Sequence, residues 1–260
     1  MLKLYSFGPM ANSLKPMLTL FEKFEFDRDF TVHRLDPSKF EHHSDWFKAI
    51  NPRGQVPALD DGGRIVTEST VICEYLEDAH PTAVKLRPDD PYDRAQMRVW
   101  TKWVDEYFCW CVSTIGWHRG VSNMAKALSD AEFEEHLKKI PIPEQQVKWR
   151  RAREGFPQDL LDEEMRKIGV SVRKLDDHLA DNEWLAGGMY SLADICNFAI
   201  ANRMQDGFAE LVNTRDTPHL VRWIEQINAR PRVQAMFANV SSERLGPPRD
   251  QRQENYESRQ

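Results

Sequence analysis

Asn12 and Ser13 stand where an apolar opening, LKLYS, gives way to helix-like sequence. A helix N-terminus favours negative charge and lowers the pKa of a nearby thiol from ~8.5 toward ~3.5 in favourable cases. A serine O–H or asparagine N–H aimed at sulfur favours the thiolate further. This corner holds no cysteine, so such a thiolate would belong to another molecule. Val56-Pro57 opens a strand within NPRGQVPAL, and a proline there removes a ladder donor and belongs at a strand start or edge. With a cis bond before it, the N–H and C=O of Val56 would turn outward to pair with an extended peptide. Glu68-Ser69 marks a strand-to-helix junction, where the acid can pair with an ammonium while Ser69 and free backbone N–H groups take a carboxylate. Each site has a plainer reading: a helix N-cap at Asn12-Ser13 and at Glu68-Ser69, and a trans edge proline at Pro57.

The elements that must position these groups follow from periodicity. Residues 2–7 read as a strand ending in a Gly-Pro corner. A helix runs through SLKPMLTLFEKF, with Leu14, Met17, Leu18 and Phe21 at helical spacing and Pro16 in its first turn. Residues 26–35 alternate as a second strand. QVPALDDGGRIVTES reads as a hairpin turning at Asp60-Asp61-Gly62-Gly63, and STVICEYLEDAH as a helix. The resulting order, β-α-β-(α)-β-β-α, is that of an α+β thioredoxin-like domain over residues 1–82. A proline-rich linker spans 83–91, and from Tyr92 to 240 only helical signals appear, an all-α second domain. The polar tail, 241–260, is expected to be disordered.

The chain has 260 residues and a net charge of −6, so no global field recruits nucleic acid or anionic lipid. No apolar run approaches the ~20 residues of a membrane span, and the N-terminus lacks the form of a signal peptide; a cytoplasmic protein is expected. Cys73, Cys109, Cys111 and Cys196 lie in apolar helix-like sequence, and the i, i+2 spacing of Cys109 and Cys111 argues against a shared metal or redox pair. They read as buried free thiols, and no metal is expected.

Taken in order on one small domain, the three sites suit a γ-glutamyl-Cys-Gly peptide: head group at Glu68-Ser69, cysteinyl backbone at Val56, sulfur at Ser13 or Asn12. The motif NPRGQVPAL followed by ESTVICEYLED resembles the glutathione transferase family over residues 1–240. The resemblance implies glutathione as co-substrate, a homodimer, and further glutathione contacts at His42 and Gln55. The alternative for His42, as for His43, is a surface histidine. Ser191 and Asp194 in YSLADICNFAI form a capping box ahead of a central buried helix, a structural device. The tyrosine many animal classes use is missing, since Tyr5 lies inside the first strand.

The second domain exceeds the family's usual length by a segment at 119–158. The sequence before it is aromatic: Trp100, Trp103, Tyr107, Phe108, Trp110 and Trp117. On a regular helix Trp103, Tyr107 and Trp110 share a face, so Trp103 and Tyr107 are candidates to line a cleft for a flat aromatic substrate. The run KWRRAR (148–153) reads as a solvated helix face. The phrases YSFGPMANSLKP, DPSKFEHHSDWFK, WTKWVDEYFCWCVSTIGW and IPEQQVKWRRAREGFPQ resemble the bacterial glutathione-dependent β-etherases of lignin breakdown, nearest the β(S)-selective type. That resemblance implies thiolate attack on the β-carbon of an α-keto β-aryl ether, releasing a phenol. Rival readings are another glutathione transferase, of dehalogenase or isomerase type, and a non-catalytic glutathione-binding module.

Overall fold

The computed structural model describes residues 1–241. The expectation for the tail therefore falls outside the described residues, apart from Ser241 at the end of the last helix. Strand β1 (Leu2–Ser6), helix α1 (Ala11–Lys23) and strand β2 (Phe30–Arg34) open the chain, and β1 pairs in parallel with β2, Leu2 opposite Phe30. Two tight turns and a short helix α2 (Asp45–Lys48) lead to β3 (Ala58–Asp61), antiparallel to β1, and β4 (Arg64–Thr67), antiparallel to β3. Helix α3 (Ser69–Ala79) comes next. The sheet order is β2-β1-β3-β4, the thioredoxin-like arrangement expected.

Local chemistry explains both the agreements and the shifts. Gly62 and Gly63 turn the hairpin at φ +59° and +90°, and the Asp60 carboxylate accepts the Gly63 N–H at 2.7 Å. β2 starts at Phe30, later than alternation suggested, because Asp27 adopts φ +63° and the Asp29 carboxylate accepts the Glu25 N–H, closing a turn. α1 also starts earlier than expected. Met10, not Asn12 or Ser13, is its N-cap, extended and without a side-chain cap bond. Pro16 accordingly sits in the second turn, where its missing N–H relieves the Asn12 carbonyl of its usual i+4 donor.

The helical half begins with one unbroken rod over 91–127. It comprises α4 (Pro91–Trp103), α5 (Cys109–Gly116) and α6 (Ser122–Ala127), joined by π-helical turns at Val104–Phe108 and Trp117–Val121. Then come α7 (Asp130–Lys139), α8 (Pro143–Glu154), the long α9 (Gln158–Asp181), α10 (Leu192–Ala201), α11 (Met204–Gly207), α12 (Pro218–Asn228) and α13 (Pro231–Ser241). Every residue of α10 is buried. Its start is the expected capping box: Asp194 accepts from the Ser191 N–H and hydroxyl, and the Ser191 hydroxyl accepts from Ala193. One apolar core runs from Leu2 through α1 and α10 to Val240, so the two halves share their interior. Arg230 of α13 pairs with Glu22 of α1 across the seam at 2.7 Å, and Lys23 ties α1 to Glu77 of α3 within the first half at 2.5 Å.

The segment 119–158 forms α6 to α8 around its own small core of Ala125, Phe133, Leu137, Ile140, Trp149 and Ala152. It docks on the N-terminal half through rings. His136 packs tilted against Phe40 at 3.7 Å and edge-on against Trp149 of its own segment at 4.7 Å, and lies 5.1 Å from His43, which packs tilted 3.8 Å from His42. Gly54 (φ +60°) completes the seam, since a Cβ there would sit 2.9 Å from the His42 carbonyl and 3.4 Å from Pro141.

This histidine seam should make the protein acid-sensitive. Burial, reinforced by mutual repulsion, holds His42 at about 3, His43 at about 2 and His136 at about 4, with Lys48 and Lys139 adding to the bias. All three are depressed below their unfolded value of 6.5, so the unfolded chain binds more protons. Their contribution is present above that value and is lost as pH falls toward the folded values. By pH 5 the loss is at most about 2 kcal/mol per histidine, before solvent access reduces it. Urea unfolding at pH 7 and pH 5 should show a smaller loss for His136→Phe than for the parent chain; equal losses would refute the linkage. Asp194, its carboxyl pushed up to about 6 by burial, acts in the opposite sense in both proteins and cancels in the difference.

Candidate active site

A cavity of about 460 Å³ opens between the N-terminal half and the helices beyond it. From the first half Asn12, Gln55, Val56, Pro57, Glu68 and Ser69 line it, with Asn51 and Arg53 beside them. The Val56–Pro57 peptide is cis. Asn51 anchors the approach to it by donating its side-chain amide to the Gln55 carbonyl at 2.6 Å. Arg53 lies 3.4 Å from the Gln55 side-chain oxygen and 4.0 Å from the Glu68 carboxylate. Glu68 itself is held at φ 68°, ψ 117°, a backbone region costly for any residue but glycine, of order 1–3 kcal/mol. Its carbonyl nevertheless starts α3 by accepting the Ile72 N–H at 2.9 Å. Glu68 thus stands as the N-cap, with no side-chain cap bond, and its carboxylate points to the cavity rather than to the helix.

At the start of α1 the two candidates for the sulfur differ in position. Asn12 lines the cavity, and its Oδ1 accepts from the Cys109 thiol at 3.5 Å. Ser13, the next residue on α1, is only 4% exposed and does not line the cavity. Below them the buried Lys15 pairs with Asp105, which reaches the cavity wall.

The opposite wall departs from expectation. Trp103 and Tyr107 do not line the cavity. Trp103 stacks on Phe108 at 5.4 Å with Lys174 of α9 4.1 Å from its ring, so it faces the helical core. The π-helical turn at Val104–Phe108 takes up more residues than an α-turn, and it rotates α5 relative to a regular helical wheel. The face presented is therefore Asp105, Cys109, Ser113 and Trp117, with Trp110 at the rim. Helix α8 closes the cavity with Glu144, Gln145 and Lys148, and Ile142 precedes them. Of the basic run, Arg150 and Arg153 face Glu134 and Asp130 outside, whereas Lys148 turns inward. Its ammonium donates to the Ser113 hydroxyl at 2.9 Å and sits over the Trp117 and Trp110 rings at 4.7 and 5.6 Å. Burial draws its pKa down to about 8.

His42 also departs from expectation. It packs edge-on against Phe7 at 4.9 Å and on His43, away from the cavity lining, and burial keeps it neutral. A neutral stacked imidazole offers no cation to a carboxylate, whereas the Arg53 guanidinium does line the cavity. Arg53 escaped the sequence reading because it lies inside the NPRGQVPAL motif but outside the strand that motif opens. The four cysteines are free; Cys73, Cys111 and Cys196 are buried and Cys109 is half-buried at the cavity. Among the described residues no cluster of His, Cys, Asp and Glu could hold a metal ion, and no helix is long and apolar enough to cross a membrane.

The fold and this site define a glutathione transferase. The glutathione S-transferase N-terminal domain matches residues 1–78 and the C-terminal domain matches residues 108–231, and the chain belongs to that family. It is 62% identical over 250 residues to Protein LigF of Sphingobium sp. strain SYK-6, covering 94% of this chain and 96% of that protein. The crystal structure of beta-etherase LigF from the same strain superposes with a TM-score of 0.88 at 63% identity, over 92% of this chain and 99% of that one. Glutathione transferase F7 from Populus trichocarpa superposes at a TM-score of 0.69 and 26% identity, over 92% and 99% of the two chains.

Proposed function

We propose that the protein is a glutathione-dependent β-etherase that cleaves lignin-derived α-keto β-aryl ethers, preferring the β(S) form. The observation that carries this reading is a single cavity with two chemistries, in a chain close to LigF over nearly its whole length. Peptide-binding groups stand on one side of it, and the indole rings of Trp110 and Trp117 on the other. Residues 1–82 serve as the glutathione-binding unit, 83–91 as linker and 92–240 as the substrate unit. Glu68 takes the γ-glutamyl ammonium, and Ser69 with the first N–H groups of α3 takes its carboxylate. The Val56 backbone pairs with the cysteinyl residue, and Gln55 with Arg53 meets the glycyl end. The sulfur then lies at the N-terminus of α1 against Asn12 and Ser13, which hold it as thiolate without acting as a base. The thiolate attacks the β-carbon, activated by the neighbouring carbonyl. The aryl oxygen leaves with the bond pair and configuration inverts. The enzyme's work is to make the thiolate and align it.

Incubating each enantiomer of a guaiacyl α-keto ether with and without glutathione tests the reading. Guaiacol should appear only with glutathione and mainly from the S form. No release from either form, with glutathione still bound, would move the activity to another electrophile. Ser13→Ala and Asn12→Ala should each raise the bound thiol's pKa by about 1–2 units, because a hydrogen bond to a charged group is worth about 1.5–3 kcal/mol. The alkaline-rising limb of the kcat/KM profile would move accordingly. An unmoved limb in both variants would leave the helix N-terminus alone responsible.

We also read the protein as a cytoplasmic homodimer, as members of this family commonly are. Val71 on α3 and Val99 on α4, both more than half exposed, are apolar surface that a second copy would cover. Light scattering after size exclusion decides the oligomeric state.

A further inference from the structure

We propose that Lys148 is the general acid of the β-etherase reaction, donating the proton that turns the departing phenoxide into a phenol. The inference rests on the β-etherase reading. It starts from an ammonium in an unusual setting. Lys148 is the inward-facing cation of α8, and among the described residues no carboxylate forms an ion pair with it. Of the carboxylates that line the same cavity, Asp105 pairs with Lys15, Glu68 lies 4.0 Å from Arg53, and Glu144, four residues earlier on α8, makes no ion pair with Lys148. The Ser113 hydroxyl and the faces of Trp117 and Trp110 hold the ammonium. Ring faces attract a cation but do not neutralise it. A half-buried cation held over two indoles with no carboxylate partner among the described residues suits a flat aromatic ring that acquires negative charge on its oxygen.

The step balances. The thiolate pair forms the S–C bond at the β-carbon, and the C–O bond breaks with its pair going to the aryl oxygen. The Nζ proton passes to that oxygen, leaving a neutral amine. The proton set free when glutathione ionised returns the amine to ammonium through solvent at the cavity mouth. Burial has already eased the loss of this proton, since it holds the amine below its ordinary range. Ser113 and the two rings keep Nζ on the wall against which the leaving ring stacks.

The test uses the intact protein and a series of α-keto β-aryl ethers. Their leaving groups run from 4-nitrophenol, whose anion departs without help, to guaiacol, whose anion needs a proton. Lys148→Met should lower kcat about 100-fold for the guaiacyl ether and less than about threefold for the nitrophenyl ether. Lys148→Arg, which keeps the charge but holds its proton, should fall between them on the guaiacyl ether. A loss equal across the series, or no loss, would overturn the assignment, because a structural role does not sense the leaving group. If the parent protein releases no phenol from any member, the β-etherase reading fails by itself. The anion site is then read by binding: 4-nitrophenol in the cavity should ionise at lower pH than in water, and Lys148→Met should abolish that shift. The same ionisation in parent and variant would overturn the inference.

Discussion

Asp194→Ala is expected to cost about 4–6 kcal/mol of stability, enough to unfold many domains of this size. The carboxylate is fully buried and accepts from four donors: the Leu185 and Trp223 N–H groups, each at 3.0 Å to Oδ1, and the Ser191 N–H and hydroxyl at Oδ2. Alanine strands these donors in the buried interior, at about 1–3 kcal/mol for each group left unsatisfied. It also loosens three segments at once, because Asp194 ties the 182–191 loop and α12 to the start of α10. Asp194→Asn keeps the shape and one acceptor oxygen and should lose about half as much. Urea midpoints with unchanged slopes would measure both. A midpoint for Asp194→Ala close to that of the parent would show that the box is not a stability device.

The second large effect lies under the cavity. The Lys15 side chain is fully buried in α1, and its partner Asp105 is 37% exposed on the π-helical turn. Removing the two partners should therefore not be equivalent. Asp105→Ala leaves a buried ammonium uncompensated, at about 3 kcal/mol or more. Lys15→Met leaves a carboxylate that water can reach and fills the space with an apolar chain, at about 1 kcal/mol. The double variant should recover most of the loss caused by Asp105→Ala. A double-mutant cycle of thermal or urea unfolding reads this directly. Equal costs for the two single variants would mean that water reaches Lys15 after all. Because Asn12 lies one turn before Lys15 on α1, Asp105→Ala should also weaken glutathione binding, measurable by calorimetry under conditions where the variant remains folded.

The order of elements in the first half was legible because each is specified by local chemistry: Gly62-Gly63 for the hairpin, helical spacing for α1 and α3, and Pro57 immediately ahead of β3. The Ser191–Asp194 box was legible for the same reason, as a capping device is complete within four residues. Asn12, Gln55, Val56, Glu68 and Ser69 could be placed together because the order of this small fold brings strand ends and helix starts to one edge. Other features depended on contacts between segments far apart in the chain. Whether His42 faces solvent, ligand or ring stack was decided by α7, which lays His136 against Phe40 and His43. Which indoles reach the cavity was decided by a π-helical turn, invisible to a wheel drawn at constant pitch. Lys148 looked like its neighbours in a basic run until α8 docked with that one residue turned inward. Sequence alone determined the frame and brought Asn12, Gln55, Val56, Glu68 and Ser69 to one side of the cavity, since those placements rest on short-range backbone rules. The tertiary structure alone decided the opposite wall, as it decided His42 and Arg53, since burial and charge there come from segments that meet only on folding.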